Sequence, residues 1–326
     1  MAYEVAAYIS NTAFADSNGS DYHLLNQHTT SIMKQISLII LTYNSEKDIY
    51  DCLASVYEHN DIGDALEVIV VDNQSANFTA MKDTITTRYP EVVITQNTHN
   101  GGYGQGNNVG IRIAKAPVVA IMNPDVRLMT PIFATALQTL DNENIIMCGG
   151  KQMHTPTQLG WSYAFDYTAM GYLQIPLRNI YKRFDHYDYR HMHLSGAFFF
   201  VKKACFEQIG LFDEQIFMYG EECDIHQRLR KAFPKMKIAF LANCPYLHLS
   251  MERPFEEKRY RQQVAADLYV CRKHGLSEKE YMRIRLFALR LCLLRCKLRG
   301  RSNSLEAQTY PPMIAITQGI MNELAL

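Results

Sequence analysis

Three short runs constrain this chain more than anything else in it: ISLIIL at 36–41, EVIVV at 67–71 and PVVAIM at 117–122. None alternates polar with apolar residues, so each reads as a strand buried on both faces, the condition of a sheet covered by helices on two sides. The residues between them change period. Ile49, Cys52, Leu53 and Val56 recur at helical spacing; a second helix is expected over 79–88, a strand over 91–95, and a helix from Asn107 to Ala114. The order β-α-β-α-β-α-β predicts an α/β fold with a mostly parallel sheet and helices on both faces.

Each run stops at a polar cluster: Thr42-Tyr43-Asn44-Ser45, Asp72-Asn73-Gln74-Ser75 and Asn123-Pro124-Asp125. In a parallel sheet these are the carboxyl ends of strands, where ligands gather. One such cluster is a surface turn; three in register define a candidate site. The run NTHNGGYGQGNNVG at 97–110 raises the question of a dinucleotide. That fingerprint belongs in the first β-α turn, with its glycines opening the helix. Here the first turn has no glycine, and the run comes two units later. The glycines are instead expected to let the backbone approach a donor nucleotide, with Gly102, Gly104, Asn107 and Asn108 nearest.

Beyond Gly150 the pattern loosens. Residues 151–195 are aromatic and aperiodic, as a binding loop or a locally packed insertion would be. Regular structure is expected again as a strand at 195–201, a helix at 203–209, a last strand at 237–241 and helices from about 252. Lys+Arg and Asp+Glu number 33 each, so no global field calls for nucleic acid as a partner. The 8 cysteines include no C-x-x-C pair, and no apolar run approaches the roughly 18 residues of a membrane span. These features fit a cytoplasmic protein with reduced thiols. Residues 1–32 lack a period and read as a disordered or non-native extension, with Met33 as the functional start.

Taken in order, ISLIILTYNS, VIVVDNQS, NGGYGQGNNVGI, MNPDV, LSGAFFFVKK, GLFDEQIFMYGEECDIHQRLR and a downstream His248 resemble a family 2 glycosyltransferase, in spacing the bacterial rhamnosyltransferase-like branch. The resemblance covers roughly 36–250 and implies a GT-A fold, with a Rossmann-like nucleotide-binding half and an acceptor half. It divides the chain into an extension over 1–32, a catalytic domain over 33–250 and a helical extension over 251–326. It also implies a nucleotide-sugar donor, dTDP-rhamnose or a UDP-hexose, and a glycan or lipid-linked acceptor.

The family holds a divalent cation, Mn2+ or Mg2+, near two aspartates one residue apart. This chain keeps one, Asp125, with Asn123 in the other place, and the resemblance sets His248 beside it as the second metal ligand. An imidazole ligand favours Mn2+. A turn-capping role for Asp125 is the alternative. In the family's Glu-Asp-x-Asp motif the second residue is the general base; Glu222 matches it with one extra methylene, and Glu221 is the reserve. Three acids at a helix start would also complement its dipole. Asp224 and Arg228 are four apart and are expected to pair. By the same resemblance Asp72 contacts the nucleotide base and Thr42, Tyr43 and Asn44 line its pocket, against a strand-end Asx turn as the local alternative.

Residues 281–301 (YMRIRLFALRLCLLRCKLRGR) hold seven basic residues and no acid. Such a helix suits the anionic inner face of a membrane, or packs on the catalytic domain, or forms a homodimer contact. Two other functions compete. A sugar nucleotidyltransferase would need a basic, glycine-rich first turn, which is lacking. A non-catalytic nucleotide- or sugar-binding partner of another transferase would bind without turnover.

Overall fold

The unbroken apolar runs are explained by where alternate residues go. In the computed structural model, which describes residues 33–249, 255–301 and 304–324, β1 (Ile36–Thr42) sends Leu38 and Ile40 into one core and Ile39 into another on the opposite face. The expectations for residues 1–32 lie outside the described residues. The first half runs α1 (Glu46–Glu58), β2 (Leu66–Asp72), α2 (Phe78–Arg88), β3 (Val93–Gln96), α3 (Gly102–Ile113), β4 (Val118–Met122), β5 (Val126–Leu128) and α4 (Phe133–Asp141). The second half runs β6 (Ile145–Thr155), β7 (Gln158–Leu159), β8 (Tyr163–Phe165), α5 (Gln174–Arg183), β9 (Met192–Leu194), β10 (Phe198–Lys202), α6 (Lys203–Gln208), α7 (Glu221–Ala232) and β11 (Lys237–His248). Three helices close the chain: α8 (Glu257–Lys273), α9 (Glu278–Leu298) and α10 (Leu305–Glu323).

The main sheet has the order β3-β2-β1-β4-β10-β6-β11-β5, with β7 on β6. It is parallel from β3 to β4, as expected. Beyond β4 it is mixed, because β10 enters antiparallel between β4 and β6, and β5 lies antiparallel on β11. The order reverses direction at β1, which has β2 on one side and β4 on the other. That is the switch point at which an open α/β sheet leaves a crevice beyond its strand ends.

Two boundaries differ from the sequence reading. The last strand does not stop at Leu241; it resumes at Pro245 after a register shift and continues to His248. A proline is tolerated there because the ladder is already broken. The third helix begins at Gly102, within the glycine run, and not at Asn107. It lies so close to the sheet that a β-carbon on Gly106 would meet Leu41 Cδ1 at 2.5 Å, and one on Gly110 would meet Ile39 Cγ2 at 2.6 Å. Gly102 itself has φ +88° and sits against the carbonyl of Phe217.

The 151–195 segment is a packed insertion. β8 and β9 form their own two-stranded sheet, and Tyr163, Phe165, Met192 and Leu194 join the second core. The C-terminal helices have a core of their own around Tyr260, Val264, Leu268 and Met282. They are tied to α7 by charge. Asp224, fully buried, accepts from Arg228 Nη2 at 2.6 Å, Lys273 Nζ at 2.7 Å and His274 Nε2 at 2.8 Å. These donors hold its carboxyl far below the usual range even though burial acts the other way. Among the described residues no helix is long and apolar enough to cross a membrane.

Candidate active site

The carboxyl ends of β1, β2 and β3 are laced together by short polar side chains. Asp72 is fully buried and accepts from Thr42 Oγ1 (3.1 Å), the Ser75 amide (2.9 Å) and Gln96 Nε2 (3.1 Å). The Ser75 amide lies three residues on, one beyond the reach of the Asx turn named as the local alternative, and the contact still ties the strand end to the turn that follows. Asn44, at φ 50°, donates its amide to Ser75 Oγ at 2.7 Å and accepts from the Ala76 amide at 3.2 Å. Tyr43 is exposed at the rim. It borders a cavity of about 590 Å³ whose other walls are Phe217, Met218, Tyr219 and, from α8, Lys258 and Arg259. The participation of α8 was not visible in the sequence, because nothing local links residue 43 to residue 258.

Across the switch point, Asn123 donates its amide to Ala197 O at 2.8 Å, which fixes the start of β10 beside the Asn-Pro-Asp turn. Strand β5 pairs Val126 with His248, so the ladder brings Asp125 and His248 together. His248 Nε2 lies 3.3 Å from Asp125 Oδ1, and the Leu249 amide donates to Asp125 O at 2.9 Å. Burial alone would raise the Asp125 carboxyl, but the His248 contact and the nearby Arg127 bring it below its ordinary value. It is therefore ionised at neutral pH. An anionic oxygen from the β4–β5 turn and an imidazole nitrogen from the end of β11 are a donor pair that could serve a divalent cation.

The third component is the start of α7. Tyr219 (φ 76°) and Gly220 (φ 88°) are both left-handed, a turn that strains only the tyrosine. It aims two neighbouring carboxylates differently. Glu221 is buried, and its Oε1 has no hydrogen-bond partner. Burial, then Glu222, then Asp267 push its pKa well above the usual range. Glu222 is partly exposed and lies over Gly196, where a β-carbon would meet Glu222 Oε1 at 2.4 Å. Of the two, Glu222 is the more open to solvent. Tyr103, which sequence reasoning passed over inside the glycine run, links the parts. Its hydroxyl donates to Gly196 O at 2.6 Å. Burial raises its pKa most, followed by the charges of Glu222 and Glu221 and, more weakly, of Tyr246 and Asp125.

The remaining residues of the glycine run are placed differently from expectation. A β-carbon on Gly104 would meet Phe212 Cβ at 2.9 Å. Asn108 donates to Phe212 O (3.0 Å) and Glu214 Oε1 (2.9 Å) and accepts from the Phe212 amide (3.1 Å). These two hold α3 to the 211–214 segment; they do not line the crevice. Asn107 is buried, donating to Tyr103 O at 3.0 Å. Its Oδ1 has no partner.

Among the described residues one group of three potential ligand atoms stands elsewhere: Asp166, His193 and Cys223. It does not fit a divalent cation. The Arg230 guanidinium already pairs with Asp166, and burial keeps the Cys223 thiol protonated. Beside it, His226 supports α7 from below. Its Nε2 accepts from the Leu194 amide at 3.0 Å, so Nδ1 carries the proton and donates to Glu222 O at 2.7 Å. Burial, then His193 and Arg230, push its pKa from 6.5 down to about 3. Over that interval the unfolded chain binds a proton that the native protein does not. Stability is therefore complete above pH 6.5 and falls towards pH 3, by up to about 1.4 kcal/mol per pH unit. Urea titrations from pH 7 to 4 are expected to show this slope, and His226→Gln to flatten it; an unchanged slope in the variant would place the titrating group elsewhere.

A switch-point crevice with carboxylates from the β4–β5 turn and the start of α7 around its rim defines a GT-A glycosyltransferase. The chain belongs to glycosyl transferase family 2, whose sequence model matches residues 37–210. It is 25% identical over 244 residues to the low-salt glycan biosynthesis hexosyltransferase Agl10 of Haloferax volcanii, covering 71% of each chain. It is 32% identical over 93 residues to a poly(ribitol-phosphate) beta-glucosyltransferase of Bacillus spizizenii, or 28% of this chain and 15% of that one. Among solved structures, the mannosyltransferase PcManGT from Pyrobaculum calidifontis, in complex with GDP-Man and Mn2+, superposes with a TM-score of 0.58 at 14% identity, covering 89% of this chain and 87% of that one. GalNAc-T7 with UDP, GalNAc and Mn2+ gives 0.57 at 14% identity, over 74% of this chain and 48% of that one. At such identities the likeness is one of fold.

Proposed function

We propose that this protein transfers a hexosyl or deoxyhexosyl group from a nucleoside diphospho-sugar to a hydroxyl of a glycan or lipid-linked acceptor, inverting the anomeric centre, in the synthesis of cell-surface polysaccharide. The observation that carries the reading is the 3.3 Å pairing of Asp125 with His248, next to an Asn123–Ala197 contact whose neighbour Gly196 lies under Glu222. The hexosyltransferase and glucosyltransferase relatives support the sugar class. Thr42, Tyr43, Asn44 and Asp72 would hold the nucleoside on the β1–β2 side. Asp125 and His248 would hold a divalent cation, which when bound neutralises the charge left on the departing diphosphate. Glu222 would take the acceptor's proton as the new bond forms. Gly196 supports this assignment: with no side chain there, the longer arm of Glu has room where the family has Asp.

Calorimetric titration with UDP, dTDP and GDP, with and without Mn2+, tests it. One diphosphate is expected to bind in a metal-dependent way, and Asp125→Ala to weaken it at least about ten-fold, roughly 1.4 kcal/mol. Binding of NAD indifferent to metal, or of no diphosphate at all, would overturn the reading.

A further inference from the structure

Helix α9 has no acid after Glu280, and its outward positions recur every three or four residues: Arg283, Phe287, Arg290, Leu294, Lys297 and, just beyond its end, Arg301 are exposed. Leu298 beside them is 78% exposed. The basic residues divide sharply. Arg285 turns inward onto Asp267 at 2.8 Å, whereas Arg283, Arg290 and Lys297 form no ion pair among the described residues. A segment more than a hundred residues earlier completes the face. Tyr172 meets Phe287 edge-on with ring centroids 5.3 Å apart, and its neighbours Met170 and Leu173 are exposed. Between the two segments lies a recess of about 560 Å³ lined by Tyr172, Arg283, Leu286, Phe287 and Arg290.

We propose that this composite face docks on an anionic phospholipid surface, with Phe287, Leu294, Leu298 and Leu173 entering the interface and the recess taking a headgroup. The chemistry is complementary. Unpaired guanidinium and ammonium groups meet lipid phosphate, and the aromatic and aliphatic side chains between them leave water. A helix packed only on its own domain would not keep large apolar groups on the outer side in register with the cations. The proposal is independent of the donor and acceptor reading and survives its failure.

Co-sedimentation of the full chain with vesicles of phosphatidylcholine alone, and of phosphatidylcholine mixed with phosphatidylglycerol, tests it. Binding is expected only to the mixed vesicles and to weaken with salt. Each Lys or Arg near the surface contributes about five-fold, so Arg290→Gln with Lys297→Gln is expected to lower partitioning on the order of 25-fold. Leu294→Ser with Leu298→Ser lowers it as well, and both variants keep the wild-type circular dichroism. Equal binding to both vesicle types, no binding, or binding unaffected by either pair overturns the proposal. So does light scattering that shows a dimer split by the leucine pair, since a second copy would then cover the face.

Discussion

Glu222→Gln is expected to lower turnover about 10²- to 10⁴-fold, or ~3–5 kcal/mol of transition-state stabilisation, while nucleotide affinity stays within about two-fold. The reasoning is one of protonation state and place. Gln keeps the size and the contact over Gly196 but cannot take a proton, so it removes only the step assigned to the carboxylate. Glu221→Gln is the internal control. Glu221 is buried and burial, then Glu222, then Asp267 oppose its ionisation, so the amide is expected to lose less than about ten-fold there. Release of nucleoside diphosphate in the presence of the donor that binds measures both. Should Glu221→Gln be the variant that stops turnover, the two roles are exchanged.

Asp224→Ala is expected to cost about 3–5 kcal/mol of unfolding free energy, the range for removing one partner of a buried ionic cluster. The lower end is the better figure because Lys273 and Arg228 are partly exposed and regain water. The substitution takes from Arg228, Lys273 and His274 the carboxylate they share. It also removes the ionic link between α7 and α8, leaving the packing of Cys223 on Val270 to join them. The ionic link also fixes the pH response. Donors hold the Asp224 carboxyl below its unfolded value, so its contribution is present above about pH 4 and lost as pH falls further. A urea midpoint that moves by less than about 1 kcal/mol equivalent would show that the clamp carries no net stability.

The parallel half of the sheet was legible because both faces of each strand are buried, and this leaves a continuous apolar run in the sequence. The strand-end polar clusters were legible for the complementary reason that a parallel sheet has nowhere else to place them. The antiparallel entry of β10 was not, since LSGAFFFVKK reads as a strand in either direction. The pairing of Asp125 with His248 could be named from a resemblance, but no local pattern points to it: 122 positions separate them (248 − 125 − 1), and only the β5–β11 ladder joins them. Tyr103 and Gly196 were overlooked because neither residue type announces chemistry. Their importance lies in what they touch. Conversely, Gly104 and Asn108 were expected beside the ligand because small and polar residues suit one, and the same properties suit a helix pressed against a sheet and an adjoining turn.

The spacing of α3 from the sheet also limits how this chain can change over generations. At 106 and 110 a single added methyl collides with Leu41 or Ile39, and at 102 both the backbone conformation and the Phe217 carbonyl exclude any side chain. A side chain at 106 or 110 therefore needs a smaller partner at Leu41 or Ile39, and position 102 holds glycine outright. Freedom to drift lies on the rim, at Tyr43, Gln215, Phe217 and Met218, which are exposed beside the cavity shared with α8. Divergence is therefore channelled to that rim, while the glycine run persists as a record of how closely two layers pack.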